Sequence, residues 1–185
     1  MRMNNEERNT YVKTQITKAT LKLLKKRDLS EISIGEITET AQVSRVSFYR
    51  NYESKEAIVR EQVHRLFSQW AENNEYIRLK DETGKDDELL GDLFGFIKDN
   101  DKFFLLLKKR NLLYLLRDEL KHMIGPKPED NNAAAYFGAF AYNGIYGWID
   151  EWINRGMQES REDMTSMMVA RNLAPEDYRK KKDFR

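Results

Sequence analysis

Cysteine is absent from the 185 residues, which excludes disulfides and thiolate chemistry and fits a cytoplasmic protein. Proline is almost absent too: Pro126, Pro128 and Pro175 all fall late in the chain. Glycine is scarce, at 9 residues, so long helices are permitted nearly throughout. No apolar run is long enough to cross a bilayer, and the N-terminus lacks the apolar stretch of a signal peptide. β-branched residues are scattered and none alternate at period two, which leaves an all-α chain. Nor does one sign of charge dominate, since the net charge is only +1.

The charge is unevenly spread, however. Residues 1–55 carry 11 Lys/Arg against 7 Asp/Glu, a balance of +4, and residues 56–185 balance at −3. A basic N-terminal head on a slightly acidic body suits contact with a polyanion. With 40% hydrophobic and 34% charged residues, the rest reads as a folded globular protein.

The stretch from Ser33 to Lys55 is the most informative. Ser33 followed by Glu36 is a capping box that opens a helix whose Ile34, Ile37 and Ala41 face inward. Gln42-Val43 makes a tight turn, and Ser44 caps the next helix, Arg45 to about Tyr52. Val43, Phe48 and Tyr52 are its packing positions. Arg45, Val46, Ser47, Tyr49, Arg50 and Asn51 are left outward or on the rim. Two short helices with an exposed polar second helix form a helix-turn-helix, the arrangement that offers one helix to the major groove of double-stranded DNA. Arg50 and Asn51 carry the donors and acceptors that read base edges, and Ser47 does so more loosely.

A first helix is expected from about Thr10 to Arg27, capped by Asn9 or Thr10, with Ile16, Ala19, Thr20, Leu23 and Leu24 as its buried stripe. Ser54 caps a fourth helix that runs to about Asn73 and joins head to body. Residues 79–87 read as a polar loop. Helical patterns return from Glu88, after Asp101 and over Leu112–Met123. A long helix follows from Asn131 or Asn132 to about Arg155, stopped by Gly156. Ser160 with Asp163 starts a last helix to about Leu173, and the tail Tyr178–Arg185 is expected to fray.

Residues 11–60 resemble the N-terminal DNA-binding domain of the TetR family of transcriptional regulators. The match is closest over Val43-Ser44-Arg45-Val46-Ser47-Phe48-Tyr49-Arg50-Asn51-Tyr52-Glu53-Ser54-Lys55. The segment Gly144–Ser160 is similar to the end of that family's penultimate helix. The resemblance implies an N-terminal three-helix domain, residues 1–55, and a C-terminal helical dimerisation and ligand domain, residues 56–185, with about nine helices in all. It further implies a homodimer built through a four-helix bundle, a palindromic operator, repression, and release by a small-molecule effector. Tyr49, Lys55 and the cap residue Ser33 would grip phosphates. Arg45, Ser47, Arg50 and Asn51 would lie at or near the bases, and Ser44 and Val46 belong with them to the DNA-binding set. Two positions depart from the family. Gln42 stands where glycine is usual, at a cost of about 1 kcal/mol if the turn is left-handed. Val46 also replaces a frequent glycine, and can touch a thymine methyl.

In the body, Phe94, Phe103, Phe104, Tyr114, Phe137, Phe140 and Tyr142 are candidates to line an effector pocket, although each suits ordinary core as well. Tyr146, Trp148, Trp152, Met164 and Met168 are candidates for the dimer interface. His64 and His122 stand isolated in sequence, with no cysteine to join them, so no metal site or cofactor is expected. No nucleophile triad, phosphate-binding glycine loop or catalytic carboxylate pair is evident, and enzymatic activity is not expected. The competing reading is a partner-binding co-activator or adaptor that retains a helix-turn-helix head but answers to a protein.

Overall fold

In the computed structural model, residues 4–74 and 86–169 are described, and they are all-helical. The first helix, α1 (Asn5–Leu24), begins a turn earlier than expected. Asn4 accepts the Glu7 amide at 2.8 Å while the Glu7 carboxylate accepts the Asn4 amide at 2.9 Å, a second capping box. Ile16, Ala19, Thr20 and Leu24 form its buried face, and the Thr20 hydroxyl is satisfied by the Ile16 carbonyl.

A 3-10 turn (Leu29–Glu31) leads to α2 (Ile34–Ala41), with the Ser33–Glu36 box in place. The chain then turns at Gln42, whose φ of 54° and ψ of 42° are left-handed. The Val43 amide reaches back to the Thr38 carbonyl at 3.0 Å, closing the helix in a Schellman arrangement that glycine usually supplies. Next come α3 (Arg45–Asn51), capped by Ser44, and α4 (Lys55–Asn73), capped by Ser54. Ile37, Phe48 and Ile16 are fully buried where α1, α2 and α3 meet.

The body holds α5 (Asp86–Asp99), α6 (Asp101–Lys109), α7 (Tyr114–Ile124), α8 (Asn132–Asn154) and α9 (Arg161–Val169). Asn131 caps α8, and Gly156, at φ 81°, stops it. Most of the expected loop at 79–87, the end of the last helix and the tail lie outside the described residues. Among the described residues no helix is long and apolar enough to cross a membrane.

The α4 helix packs against α1 on one side and α7 on the other, so it belongs physically to both head and body. At its far end Phe67 meets Phe96 edge-on at 4.9 Å, and Trp70 stacks on Phe96 at 5.6 Å. Further along the body, α5 packs against α9 and α7 against α8.

Candidate nucleic-acid interface

The outer face of the head is built by what α3 must bury. Phe48 is fully enclosed and Tyr52 nearly so. Burial, relieved in part by a hydrogen bond with Thr17, pushes the Tyr52 phenol up to about 12, so it stays neutral in place. With those two rings inward, helical geometry turns the opposite side outward. Val46 is 68% exposed and Tyr49 61%. Arg45 and Arg50 are exposed as well, and neither forms an ion pair or hydrogen bond among the described residues. Tyr49 is held edge-on to Phe48 at 5.4 Å, which fixes its ring while leaving its hydroxyl in solvent.

Other candidates are more constrained. The Ser44 hydroxyl accepts the Ser47 amide at 3.0 Å and lies 2.9 Å from the Ser47 hydroxyl, so both serines are tied to the helix start. Asn51 donates from its side-chain amide to the Ser47 carbonyl at 2.8 Å, which turns one of its donors back onto its own helix. Ser33 is exposed, and its hydroxyl donates to Glu36 at 2.9 Å. Glu36 also takes Arg27 at 2.5 Å. The Arg27 hydrogen bond, aided by those of the Ser33 amide and hydroxyl, holds the Glu36 carboxyl well below its ordinary 4.5, at about 2.

Lys55 requires a correction. Instead of projecting towards a phosphate, its ammonium donates to the carbonyls of Leu29 at 2.7 Å, Ser30 at 3.3 Å and Ile32 at 2.5 Å. The 3-10 turn aims these carbonyls at one point over the start of α4, and a lysine has three donors to meet them. Lys55 therefore pins the turn that leads into α2. Sequence reasoning also missed Gly35. A Cβ there would come within 2.9 Å of the Arg45 guanidinium, so the glycine lets Arg45 lie against the start of α2. Only the folded turn brings these two residues together.

The body departs further from expectation. Phe94 and Phe104 are fully buried, Tyr142 nearly so and Phe103 partly. Tyr114, Phe137 and Phe140 face solvent instead, the last two at 69% and 68% exposure, so the seven aromatics do not line one pocket. Spacing alone cannot tell which side of α8 meets α7. Among the interface candidates, Trp152, Met164 and Met168 are also corrected: all three are buried within the subunit. Trp152 packs edge-on against Phe94 at 5.8 Å, with the Lys98 ammonium 5.4 Å from its ring centre. Tyr146 and Trp148 are only partly covered. What α8 leaves open is Tyr136, Phe137 and Phe140, continued by Gly144 and Gly147, at which an added Cβ would meet nothing within 4 Å.

The two histidines, isolated in sequence, are neighbours in space. Their ring centres lie 6.1 Å apart, and His64 Nδ1 is 3.0 Å from the buried Glu119 carboxylate. Among the described residues no group of three or more His, Asp or Glu is arranged to hold a metal ion.

A three-helix head with an exposed, cation-bearing second helix is a helix-turn-helix, the form in which one helix is offered to the DNA major groove. Comparison with known proteins makes the class specific. Residues 16–61 match the family described as bacterial regulatory proteins, tetR family. A crystal structure of a TetR transcriptional regulator from Streptococcus agalactiae 2603V is similar in fold, with a TM-score of 0.58 and 21% identity over 89% of this chain and 95% of that one. No curated protein matches the chain. Residues 16–61 thus match the DNA-binding head of that family, and the chain as a whole shares the fold of that regulator.

Proposed function

We propose that the protein is a homodimeric repressor of a palindromic operator, released by a small effector. In this reading residues 1–55 read DNA and residues 56–185 dimerise and take the effector. The observation that carries the DNA reading is the outer face of α3, where two arginines with no partner among the described residues flank exposed Val46 and Tyr49. Arg45 and Arg50 read base edges, Val46 touches a thymine methyl, and Tyr49 holds the backbone. Ser44, Ser47 and the free carbonyl of Asn51 set the rim. Ser33 contributes through the amides of the α2 start that it organises, where the positive end of the helix favours an anion.

Dimerisation is supported by the open aromatic face of α8. Tyr136, Phe137 and Phe140 recur on one side with Gly144 and Gly147, a surface suited to close packing against the same surface of a second copy. Tyr146 and Trp148 would flank that contact. For an effector, the body offers an open cleft of about 600 Å³ between α4, α5 and α9. The stacked Trp70 and Phe96 form part of its wall, and Asn74, Asp92, Asp99 and Arg161 its polar rim. By linkage, a releasing effector binds the free protein more tightly than the DNA-bound one.

The test is selection of bound duplexes from a random pool by the full chain. Recovery of a two-fold symmetric sequence, bound in a salt-sensitive way, is the expected result. Absence of salt-sensitive binding to any duplex would favour the adaptor reading instead.

A further inference from the structure

At the carboxyl end of α1 the Lys25, Lys26 and Arg27 amides close on the Leu21 and Leu23 carbonyls, and the Leu24 and Lys25 carbonyls beyond them need other donors. These two receive them from the body. Arg110, at the end of α6, donates from Nε to the Leu24 carbonyl at 2.6 Å and from Nη2 to the Lys25 carbonyl at 3.0 Å. Its Nη1 donates to Asp28 Oδ1 at 3.0 Å. The partners lie 82 to 86 residues away in sequence, and the arginine side chain is only 12% exposed. A cation at this end also complements the helix dipole.

Arg110 is itself firmly seated. Its amide closes α6 on the Leu106 and Leu107 carbonyls, and Asn111 follows with a left-handed φ of 55°. The Leu112 amide then returns to Leu107 at 2.8 Å, and Leu112 and Leu113 are buried. On the head side, Asp28 precedes the 3-10 turn whose carbonyls Lys55 holds, and that turn runs into Ser33, the cap of α2. One line of contacts thus leads from the end of α6 to the start of the helix-turn-helix.

We infer that Arg110 is a positioning residue for DNA binding: it latches the α1–α2 elbow to the body and sets the angle at which α3 is presented. It touches no DNA, and acts through Asp28 and the turn. Lysine cannot replace it, because these three acceptors are met by three different nitrogens spread over the planar guanidinium, whereas an ammonium carries all its donors on one atom. The inference rests on the DNA-binding role, but its physical content, a fixed head, is measurable without DNA.

The test uses the full chain, which has no native cysteine to interfere with labelling. Spin labels at Thr40→Cys in the head and Asn154→Cys in the body, diluted with unlabelled protein, report the head–body distance. The parent is expected to give one narrow distribution, and Arg110→Met and Arg110→Lys broader ones. Affinity for the selected duplex is expected to fall roughly 2- to 30-fold in Arg110→Met, the range of indirect coupling effects, with random-duplex affinity little changed. Should Arg110→Met fail to fold, Asp28→Asn removes the ion pair alone and is expected to broaden the distribution less. An unchanged width in the folded Arg110→Met chain, or in Asp28→Asn where only that variant folds, overturns the latch whatever happens to binding. Broadening in Arg110→Met relative to a narrow parent, with a parent chain that binds no duplex, leaves the latch standing and defeats the DNA reading.

Discussion

The head and the body of this molecule solve opposite problems. The head buries two rings of α3, Phe48 and Tyr52, and leaves Arg45 and Arg50 of that helix without an ion pair or hydrogen bond among the described residues. The body pairs Lys108 with Asp150 at 2.7 Å and leaves aromatic rings bare on α8. Uncovered charge suits a polyelectrolyte partner, whose counterions are released on contact. Uncovered aromatic surface suits a protein partner, because water is the worse neighbour for it. The difference teaches that exposure is read by what kind of group is exposed, not by its extent.

Several changes would break or sharpen that contrast. The largest effect is expected from Phe48→Ala, which empties the centre of the head and costs about 3–5 kcal/mol. Denaturant unfolding should show it, and a loss below 1 kcal/mol would mean that α3 is not seated on this ring. Next is the body's open face. Phe137→Glu with Phe140→Glu should give a monomer mass at micromolar concentration in sedimentation, since central aromatic anchors are typically worth about 2 kcal/mol or more each. A persisting dimer would move the interface elsewhere.

Lys55→Met strikes the junction. Three carbonyls lose their donor, so the head should lose about 1–3 kcal/mol. The salt slope of DNA binding should stay the same, and a slope smaller by about one would restore the phosphate role instead. Arg50→Ala should leave stability alone and relax preference among operators by about 1–3 kcal/mol. Equal losses on operator and random DNA would remove its reading role.

The smallest effect concerns acid. The Glu36 carboxyl, held at about 2 in the folded head against an ordinary 4.5, is depressed chiefly by Arg27. A depressed carboxyl stabilises above its unfolded value, and that contribution is lost as pH falls from about 4.5 to about 2. The screened, exposed pair should make this a shallow slope in a melting-temperature series. Glu36→Gln should flatten it, and an unchanged slope would show that the pair contributes nothing.

The head was largely legible in sequence because its signals are local. Ser33 with Glu36, Ser44 and Ser54 each bond an amide three residues on, so the motif contains its own partner. Gln42 stands out only against the family pattern, which usually has glycine there, and its backbone is left-handed as that pattern requires. The start of α1 was missed, although Asn4 and Glu7 carry the same signal as Ser33 and Glu36. In the body, helices were legible but their faces were not. Phe137 and Trp152 look alike in a helical pattern, yet one faces solvent and the other Phe94.

Sequence by itself determined the all-α class, the helix-turn-helix and the outward side of α3, because caps and helical periodicity act within a few residues. Tertiary structure alone decided that Lys55 serves a turn, that His64 meets His122, and that Arg110 holds the end of α1. Those contacts join residues 23 to 86 apart in sequence, and no local pattern records which distant carbonyl, ring or carboxylate will come within reach.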